Sequence, residues 1–344
     1  MSAWPDGRFQ ALLGSRLPII AAPMAGAAGV ELAVAAIGGG AVGSLPCAML
    51  APEEARAQAD KVRARAGGPL NLNFFCHVMP EAADDEAWRS LLRPFYEEAG
   101  IEVPAVTAAS RKPFDEAMCA IVEATRPELV SFHFGLPEPA LLDRVRATGA
   151  HIIGNATTVA EARHLAALGV DAIIAQGWEA GGHAGRFLGA PPEEQMGLIA
   201  LVPQVADACG LPVIAAGGIG DARGIAAALM LGAAAVQIGT AYLHCPECLI
   251  APAHRAGLAD GAAEHTRFTN LYSGGLARGL PTRLTEALGA VRPEAPPFPL
   301  ANVAPLGFRP MWAGQAARLG RPEPARALTE RLGREALALL GGRR

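Results

Sequence analysis

Short apolar runs alternate along this chain with longer stretches rich in alanine and leucine. The short runs have the length of buried strands and are bounded by glycine and proline, whereas the longer stretches, such as residues 52–67 and 221–233, space their apolar positions as helices do. Strands that are apolar throughout are typical of a parallel sheet covered by helices. Eight strands are predicted, at residues 17–24, 40–46, 69–75, 129–135, 151–156, 172–178, 212–218 and 235–241.

Eight strands that alternate with helices predict an α/β fold, a (β/α)8 TIM barrel, with a doubly wound sheet as the alternative. The barrel is expected to occupy residues 1–245 and to carry a helical insert at about 80–127 that caps its mouth. Residues 246–344 lose the alternating pattern and are expected to form a C-terminal extension on the mouth and side of the barrel, or to help form a homodimer.

The composition indicates a globular protein, with 51% hydrophobic and 18% charged residues. The net charge is −4 and the basic residues are dispersed, so no nucleic-acid partner is expected. The chain has no membrane-length apolar stretch and no signal-peptide pattern, which predicts a cytoplasmic protein without a membrane partner. In such a protein the six scattered cysteines are expected to be free thiols.

Chemistry in a parallel barrel lies at the carboxyl ends of the strands. The seventh predicted strand ends in Gly217 and Gly218, and the eighth ends in Gly239 and Thr240. Glycine lets an anion approach the backbone closely, and the loops after these two strands frequently hold a cofactor phosphate. Tight turns alone would explain either pair, but glycine in both loops favours a phosphate site.

A histidine follows the sixth predicted strand. His183 lies in a loop with Gly181 and Gly182, where flexible backbone is expected only if close approach or special dihedral angles are required. Its imidazole could exchange a proton near pH 7 or, when protonated, bind an anion; a structural role stays open. Glu179, in the same loop, would orient His183 or cap a turn.

A second histidine alternates with two phenylalanines. Period two places His133 on one face of its strand and Phe132 and Phe134 on the other. If the histidine face is the lumen, His133 belongs to the same site as His183.

Two short motifs do not indicate a site. Residues 38–43 match G-x-G-x-x-G, but they follow a helix and enter a strand, the reverse of the order in dinucleotide-binding units. Residues 244–248 read HCPEC, which is half of a zinc site with no second C-x-x-C. Neither an NAD fingerprint nor a metal site is therefore expected.

Several segments together resemble the nitronate monooxygenases, formerly called 2-nitropropane dioxygenases, which are FMN-dependent TIM barrels. The segments are AAPMAG, NLNFF, SFHFG, QGWEAGGHAGR, AAGGIGDARGIAAALMLGAAAVQIGTAYL, TNLYSGGLARGL and MWAGQAAR. The resemblance covers most of the chain, from about residue 15 to 318.

The resemblance implies that FMN lies across the strand ends and that His183 and His133 are the catalytic histidines. The remaining roles that it implies are as follows: Pro23 and Met24 flank the isoalloxazine, Asn73 and Gln176 bond its polar edge, Gly181 and Gly182 pass close to it, Gly217, Gly218, Gly239 and Thr240 hold the phosphate, and Trp312, Gly314 and Gln315 close the site.

The activity implied is oxidation of an alkyl nitronate by O₂ to a carbonyl compound and nitrite, with electrons passing through the flavin. Because a nitronate is already a carbanion equivalent, His183 would position and charge-balance the anion, and would act as a base only for a neutral nitroalkane. This chain departs from the family in having few tyrosines to surround the substrate: Tyr96, Tyr242 and Tyr272. Three arginines are candidates to meet a substrate carboxylate: Arg186, Arg278 and Arg318.

Two other functions stay open. The same barrel and GGH loop resemble those of FMN-dependent NAD(P)H reductases, which act on enoyl-acyl-carrier proteins or quinones. A barrel that binds flavin or phosphate without catalysis is the other alternative, and it needs no histidine at the site.

Overall fold

Eight parallel strands form the central sheet of the structure, a computed structural model that describes residues 4–81, 84–103, 111–303 and 308–341. The strands along the chain are β1 (Ile19–Ala21), β2 (Gly43–Pro46), β3 (Leu70–Phe75), β4 (Leu129–His133), β5 (His151–Ala156), β6 (Ala172–Gln176), β7 (Gly182–His183), β8 (Val213–Ala216), β9 (Ala235–Ile238), β10 (Arg267–Thr269) and β11 (Ala277–Gly279). The central sheet has the order β1-β9-β8-β6-β5-β4-β3-β2, and a parallel bridge between Ile20 and Val42 joins its two ends. The sheet is therefore a closed barrel, and the eight predicted strands are confirmed within narrower bounds.

Helices lie around this barrel and across its ends. They are α1 (Arg8–Leu13), α2 (Val30–Gly38), α3 (Pro52–Arg63), α4 (Glu86–Ala99), α5 (Glu116–Thr125), α6 (Pro139–Ala147), α7 (Val159–Ala167), α8 (Leu198–Cys209), α9 (Ala222–Met230), α10 (Thr240–Leu243), α11 (Pro252–Ala259), α12 (Arg283–Leu288) and α13 (Ala325–Gly341). Because α10 has only four residues, it does not fill the outer position after β9. That position is taken by α13, which packs against α2 and α9, so the outer layer of the barrel extends beyond the predicted boundary at residue 245.

Two helices occupy the predicted insert, and they pack differently. Helix α5 lies between α3 and α6 in the outer layer. Helix α4 instead buries Trp88 and Leu92 in a cluster with Leu271 and Leu284, which belong to the chain after β9. We call residues 246–324, between α10 and α13, the mouth segment. The part of the insert added to the barrel is thus α4, and it packs on the mouth segment.

Local sequence sets where several helices begin. The carboxylate of Asp115 accepts a hydrogen bond from the Met118 N–H at the start of α5, and the hydroxyl of Thr158 does the same for Glu161 in α7. Asp221 caps α9 in the same way. Each cap satisfies backbone donors that a helix leaves unpaired in its first turn, which typically stabilises it by about 1 kcal/mol.

Alternation along the strands fills the lumen in layers. The lower layers are apolar, and α1 closes the bottom of the barrel with Phe9 and Leu13. The apolar lumen residues include Ile20, Val42, Leu129, Ile153, Ile174 and Ile214. Further along most of the strands the inward positions become polar, and these are Ser44, Asn71, Asn73, Ser131, Asn155, Gln176 and Gln237, whereas β1 and β8 continue with Ala22 and Ala216. The base of the barrel is therefore filled by apolar side chains, and polar side chains enter the lumen only toward the mouth.

A small antiparallel sheet ties the mouth segment to the barrel. Strand β11 pairs with β10 on one side and with β7 on the other, which places Ala277 opposite His183 and Arg278 opposite Gly182. A further bridge joins Gly279 to Trp312. The loop after β6 is therefore held by backbone pairing to residues almost 100 positions later in the chain.

Candidate active site at the barrel mouth

The polar layer beneath the mouth is largely satisfied by itself. The amide of Asn73 donates to the Ser131 hydroxyl at 2.9 Å, and the amide of Asn71 donates to the Ser44 hydroxyl at 3.1 Å. Two buried acceptors, Asn71 Oδ1 and Gln237 Oε1, have no hydrogen-bond partner among the described residues. Buried polar atoms are normally paired, so this layer has acceptor capacity for a donor from a ligand or an ordered water.

Gln176, at the end of β6, holds the loop that carries His183. Its Nε2 donates to the His183 carbonyl at 2.8 Å, and its Oε1 accepts from the Gly185 N–H at 2.8 Å and from the Asn155 amide at 3.0 Å. Gly182 has a φ of 75°, a conformation that favours glycine. The glycine loop is thus fixed by a buried side chain beneath it and by β11 beside it.

The imidazole of His183 is 9% exposed, and its Nε2 lies 2.7 Å from the hydroxyl oxygen of Ser273 in the mouth segment. Phe298 and Trp312 of the same segment stand against the ring, with centroids at 5.2 and 5.6 Å. Burial, followed by the charge of Arg111, holds the pKa of His183 well below its usual value. His183 is therefore neutral at pH 7 and is oriented by Ser273.

His133 faces the lumen, as its alternation with Phe132 predicts, since Phe132 packs outward into the helix-covered core. Burial lowers the pKa of His133 to about 4, although part of the residue stays accessible. The prediction that Phe134 points away from it is wrong, because the two rings lie 4.5 Å apart. Phe134 follows the last residue of β4 with a φ of 66°, which ends the alternation and turns its side chain into the mouth.

Glu179 caps a helix and does not orient His183. Both of its carboxylate oxygens lie 3.0 Å from the N–H of Leu198, the first residue of α8. Its carbonyl accepts from the N–H of Gln315 in the mouth segment at 2.9 Å. Of the two roles that the sequence left open for Glu179, the structure therefore supports capping.

The two glycine pairs predicted to hold a phosphate come together. Ala216 pairs with Gln237, and continuing this register brings Gly218 beside Gly239. No hydrogen bond to another described residue uses the N–H of Gly217, Gly218, Gly239 or Thr240. The N-terminus of α9 next to them is already capped by Asp221, so the available donors belong to the two loops. The result is a cluster of backbone donors in the place expected for an anion.

The end of the mouth segment lies over this cluster. The Gly314 N–H donates to the Thr240 hydroxyl at 2.9 Å, and a Cβ on Gly181 would stand 2.5 Å from the Gly314 nitrogen. The loop after β9 and the His183 loop are therefore in contact through Gly314. We call the loops after β8 and β9 the phosphate loops, after the role predicted for them. Gln315, which follows it, has an exposed side chain and is anchored by its backbone.

The residues after β1 complete the rim. Met24 Sδ lies 3.5 Å from the point where a Cβ on Gly239 would stand. Pro23 is half-buried beside it, directly after a backbone hydrogen bond from Ala22 to Ile238. These positions agree with a ligand that spans the strand ends from β1 to β9.

These features fit a flavin mononucleotide. The unused backbone donors suit its phosphate, and the unpartnered acceptors Asn71 Oδ1 and Gln237 Oε1 suit a donor of the ring system. A Cβ on Gly239 would make only ordinary contacts with the protein, at 3.5 Å. The missing side chain at this position therefore leaves space for a ligand.

Several pocket residues were not identified in the sequence analysis, and only one of them, Phe75, is marked by a periodic pattern. His77 is buried just past β3, and Arg111 lies near it after the undescribed residues 104–110. Phe75 faces the mouth because it continues the inward positions Asn71 and Asn73, a signal that alternation does contain. The other two missed residues, Ser273 and Phe298, come from the mouth segment, where no periodic pattern marks them.

Two of the three arginines named as candidates for a substrate carboxylate already have other partners. Arg278 is 3% exposed, donates to the Trp178 carbonyl and stacks on Phe268 at 4.3 Å. Arg318 forms an exposed ion pair with Glu264. Arg186 stays a candidate: burial lowers its pKa, and its buried Nη1 has no hydrogen-bond partner among the described residues.

Two further observations concern metal ligands and membrane-spanning helices. Among the described residues, no group of three or more His, Cys, Asp or Glu side chains is arranged to hold a metal ion, and all six cysteines are free thiols. Within the same residues, no helix combines the length and the apolar character that crossing a membrane requires.

Comparison with known proteins agrees with the geometry. The sequence model of a family described as nitronate monooxygenase matches residues 8–334. A nitronate monooxygenase of Paraburkholderia phytofirmans is 42% identical over 94% of this chain and 93% of its own, and one of Pseudomonas aeruginosa is 40% identical over 94% and 97%. The crystal structure of a nitroalkane oxidase from Streptomyces ansochromogenes, 32% identical, superposes with a TM-score of 0.89 over 97% of this chain and 99% of that one. This chain therefore belongs to the nitronate monooxygenase family.

Proposed function

We propose that this flavin-dependent nitronate monooxygenase uses FMN and oxidises alkyl nitronates in the pocket around His183. The observation that carries the proposal is the contact through Gly314, which joins the phosphate loops to the His183 loop. A cofactor held by its phosphate at Gly239 and Thr240 would reach across the lumen toward His183. Substrate bound against that histidine would then face the cofactor.

The residues that would hold FMN are those named from the resemblance. Gly217, Gly218, Gly239 and Thr240 would bind the phosphate through backbone N–H groups, as strand-end loops do in other barrels. Pro23 and Met24 would border the ring system, and Gly181, Gly182 and Trp312 would lie on its other side. Asn73 already donates a hydrogen bond to Ser131, and Gln176 donates one to the His183 loop. Each would therefore support the pocket wall as well as contact the flavin ring.

When bound, FMN supplies the acceptor for the electrons of the nitronate and their transfer to O₂. The chain's own contribution is to hold the substrate. A nitronate carries its negative charge without loss of a further proton, so His183 is not required as a base. A neutral imidazole, fixed by Ser273, acts as a hydrogen-bond partner for the substrate, and the rings of Phe75, Phe134 and Phe298 exclude water around it.

The experiment that tests this function is the anaerobic absorbance spectrum of the purified protein. We expect bound FMN, and rapid bleaching of its absorbance on mixing with an alkyl nitronate but not with NADH or NADPH. Bleaching by the nicotinamide and not by the nitronate would favour the reductase alternative. A protein that binds no flavin would contradict the cofactor assignment. A homodimer and a cytoplasmic location remain predictions.

A further inference from the structure

His77 and His183 have the same three aromatic neighbours. The rings of Phe75, Phe134 and Phe298 each lie within 6.4 Å of both imidazoles, by centroid distances. Phe298 is the nearest of the three, at 4.8 Å from His77 and 5.2 Å from His183. The two histidines therefore border one aromatic pocket.

The ring nitrogens of His77 have no hydrogen-bond partner within the part of the chain that the structure describes. The residue is 8% exposed, and both ring nitrogens are buried without a hydrogen bond among the described residues, although the backbone of Arg111 lies close to the ring. A buried imidazole without hydrogen bonds is costly, because its polar groups have left water without replacement. A ligand in the pocket would supply the missing partner.

Arg111 places a positive charge at the same pocket. Its guanidinium carbon lies 5.9 Å from the centre of the Phe298 ring. Burial, followed by the charge of Arg111, lowers the pKa of both His77 and His183. The three histidines of the pocket, His77, His133 and His183, all have lowered pKa values and are neutral at pH 7. Charge balance for an anion cannot come from them, whereas a guanidinium stays protonated.

We propose that Arg111 and His77 form the anion-recognition site of this pocket, with Arg111 balancing the charge of the nitronate and His77 donating a hydrogen bond to it. The proposal rests on the proposed function and assigns to Arg111 the charge balance that the resemblance implied for His183. Because the surroundings are apolar, attraction between a guanidinium and an anion is stronger here than in water. The pocket would therefore prefer a nitronate over the neutral nitroalkane of the same carbon skeleton.

The test compares anion binding by four flavin-saturated proteins: wild type, Arg111→Met, Arg111→Lys and Lys112→Met. The probe is inorganic nitrate, a planar anion with the oxygen geometry of a nitronate, and its Kd is measured by calorimetry. We expect Arg111→Met to weaken nitrate binding at least tenfold, Arg111→Lys to recover part of that loss, and the exposed neighbour Lys112→Met to stay within twofold of wild type. With an alkyl nitronate as substrate, Arg111→Met should raise KM by a similar factor and change kcat by less than threefold.

Arg111→Met with wild-type nitrate affinity would overturn the proposal, and so would a wild-type enzyme that oxidises nitronate but binds no nitrate. His77→Phe keeps the guanidinium and removes the donor, so it should weaken nitrate binding about threefold; unchanged binding would exclude His77. Nitrate binding can be measured whether or not the protein turns over a substrate. If the wild type oxidises no nitronate, the proposed function fails while the four Kd values still decide the anion site.

Discussion

The barrel and the mouth segment bring residues to the site in different ways. In the barrel, alternation along parallel strands points every second residue inward, so Asn73, Gln176 and His133 reach the site because of their place in a strand. In the mouth segment, Ser273 and Trp312 reach it through β11, which pairs with the two-residue strand that contains His183. Residues of the barrel thus reach the site through the periodicity of single strands, whereas those of the mouth segment reach it through backbone pairing over long sequence separations.

His183 lies where the two regions meet, so replacing it has the largest expected effect. His183→Asn should lower kcat/KM for a nitronate by roughly 10²- to 10³-fold, the usual loss when a preorganised hydrogen-bond partner is removed. FMN content should not change, because the phosphate loops are untouched. The measurement is steady-state kinetics with flavin content by absorbance, and the exposed His265→Asn is the matched control. Wild-type activity in both His183→Asn and His133→Asn would rule out catalytic histidines and favour a barrel that binds flavin without catalysis.

Burial of His133 predicts a dependence of stability on pH. The folded-state pKa of His133 is about 4, against 6.5 for an ordinary histidine, so between these values the unfolded chain binds more protons than the folded one. The free energy of unfolding should therefore fall as the pH drops from 6.5 to 4, by at most roughly 3 kcal/mol for this residue, at about 1.4 kcal/mol per pH unit.

Urea unfolding of wild type and His133→Asn at pH 7 and pH 4.5 measures this contribution. The variant should lose less stability over that interval than wild type, while His265→Asn should lose as much as wild type. Equal losses in all three proteins would mean that His133 is protonated in the folded state.

The eight barrel strands were predictable because each is a buried apolar run between turn residues, a pattern that lies within a few neighbouring positions. The strands of the small antiparallel sheet were not predictable, since β7 has two residues and its partner β11 lies almost 100 positions away. The alternation pattern gave the wrong orientation for Phe134, because the positive φ of this residue is a local backbone conformation that a periodic pattern does not reveal. His77, just after β3, and Arg111, shortly before α5, lie outside regular secondary structure, so their contribution to the pocket depends on tertiary packing.

Contact between the two regions can be weakened at a single glycine. A Cβ on Gly181 would lie 2.5 Å from the Gly314 nitrogen and 2.6 Å from the Ala313 carbonyl carbon, and both are backbone atoms with little freedom to move. Gly181→Ala should therefore destabilise the protein by about 1–3 kcal/mol, the range for overpacked sites, and lower activity with it. Thermal unfolding measures the change. Gly67→Ala is the control, since nothing lies within 4 Å of its added Cβ. Wild-type stability in Gly181→Ala would mean that the mouth segment is not packed on the His183 loop.

The smallest expected effect concerns a glycine of the barrel itself, and it tests the contribution of the barrel to FMN binding. Gly217 and Gly218 have φ values of 115° and 67°, so the chain requires glycine there whether or not a ligand binds. Gly239 differs, because its φ is −108° and an added Cβ would meet Ala22 and Met24 at an ordinary 3.5 Å. Gly239→Ala should leave the melting temperature of the flavin-free protein unchanged and weaken FMN binding about tenfold, which corresponds to about 1.4 kcal/mol. Fluorescence titration of the flavin-free protein with FMN measures the affinity, with Gly67→Ala again as the control. Unchanged affinity would place the phosphate away from β9, whereas a loss of affinity without a loss of stability is the result that only a ligand against this glycine explains.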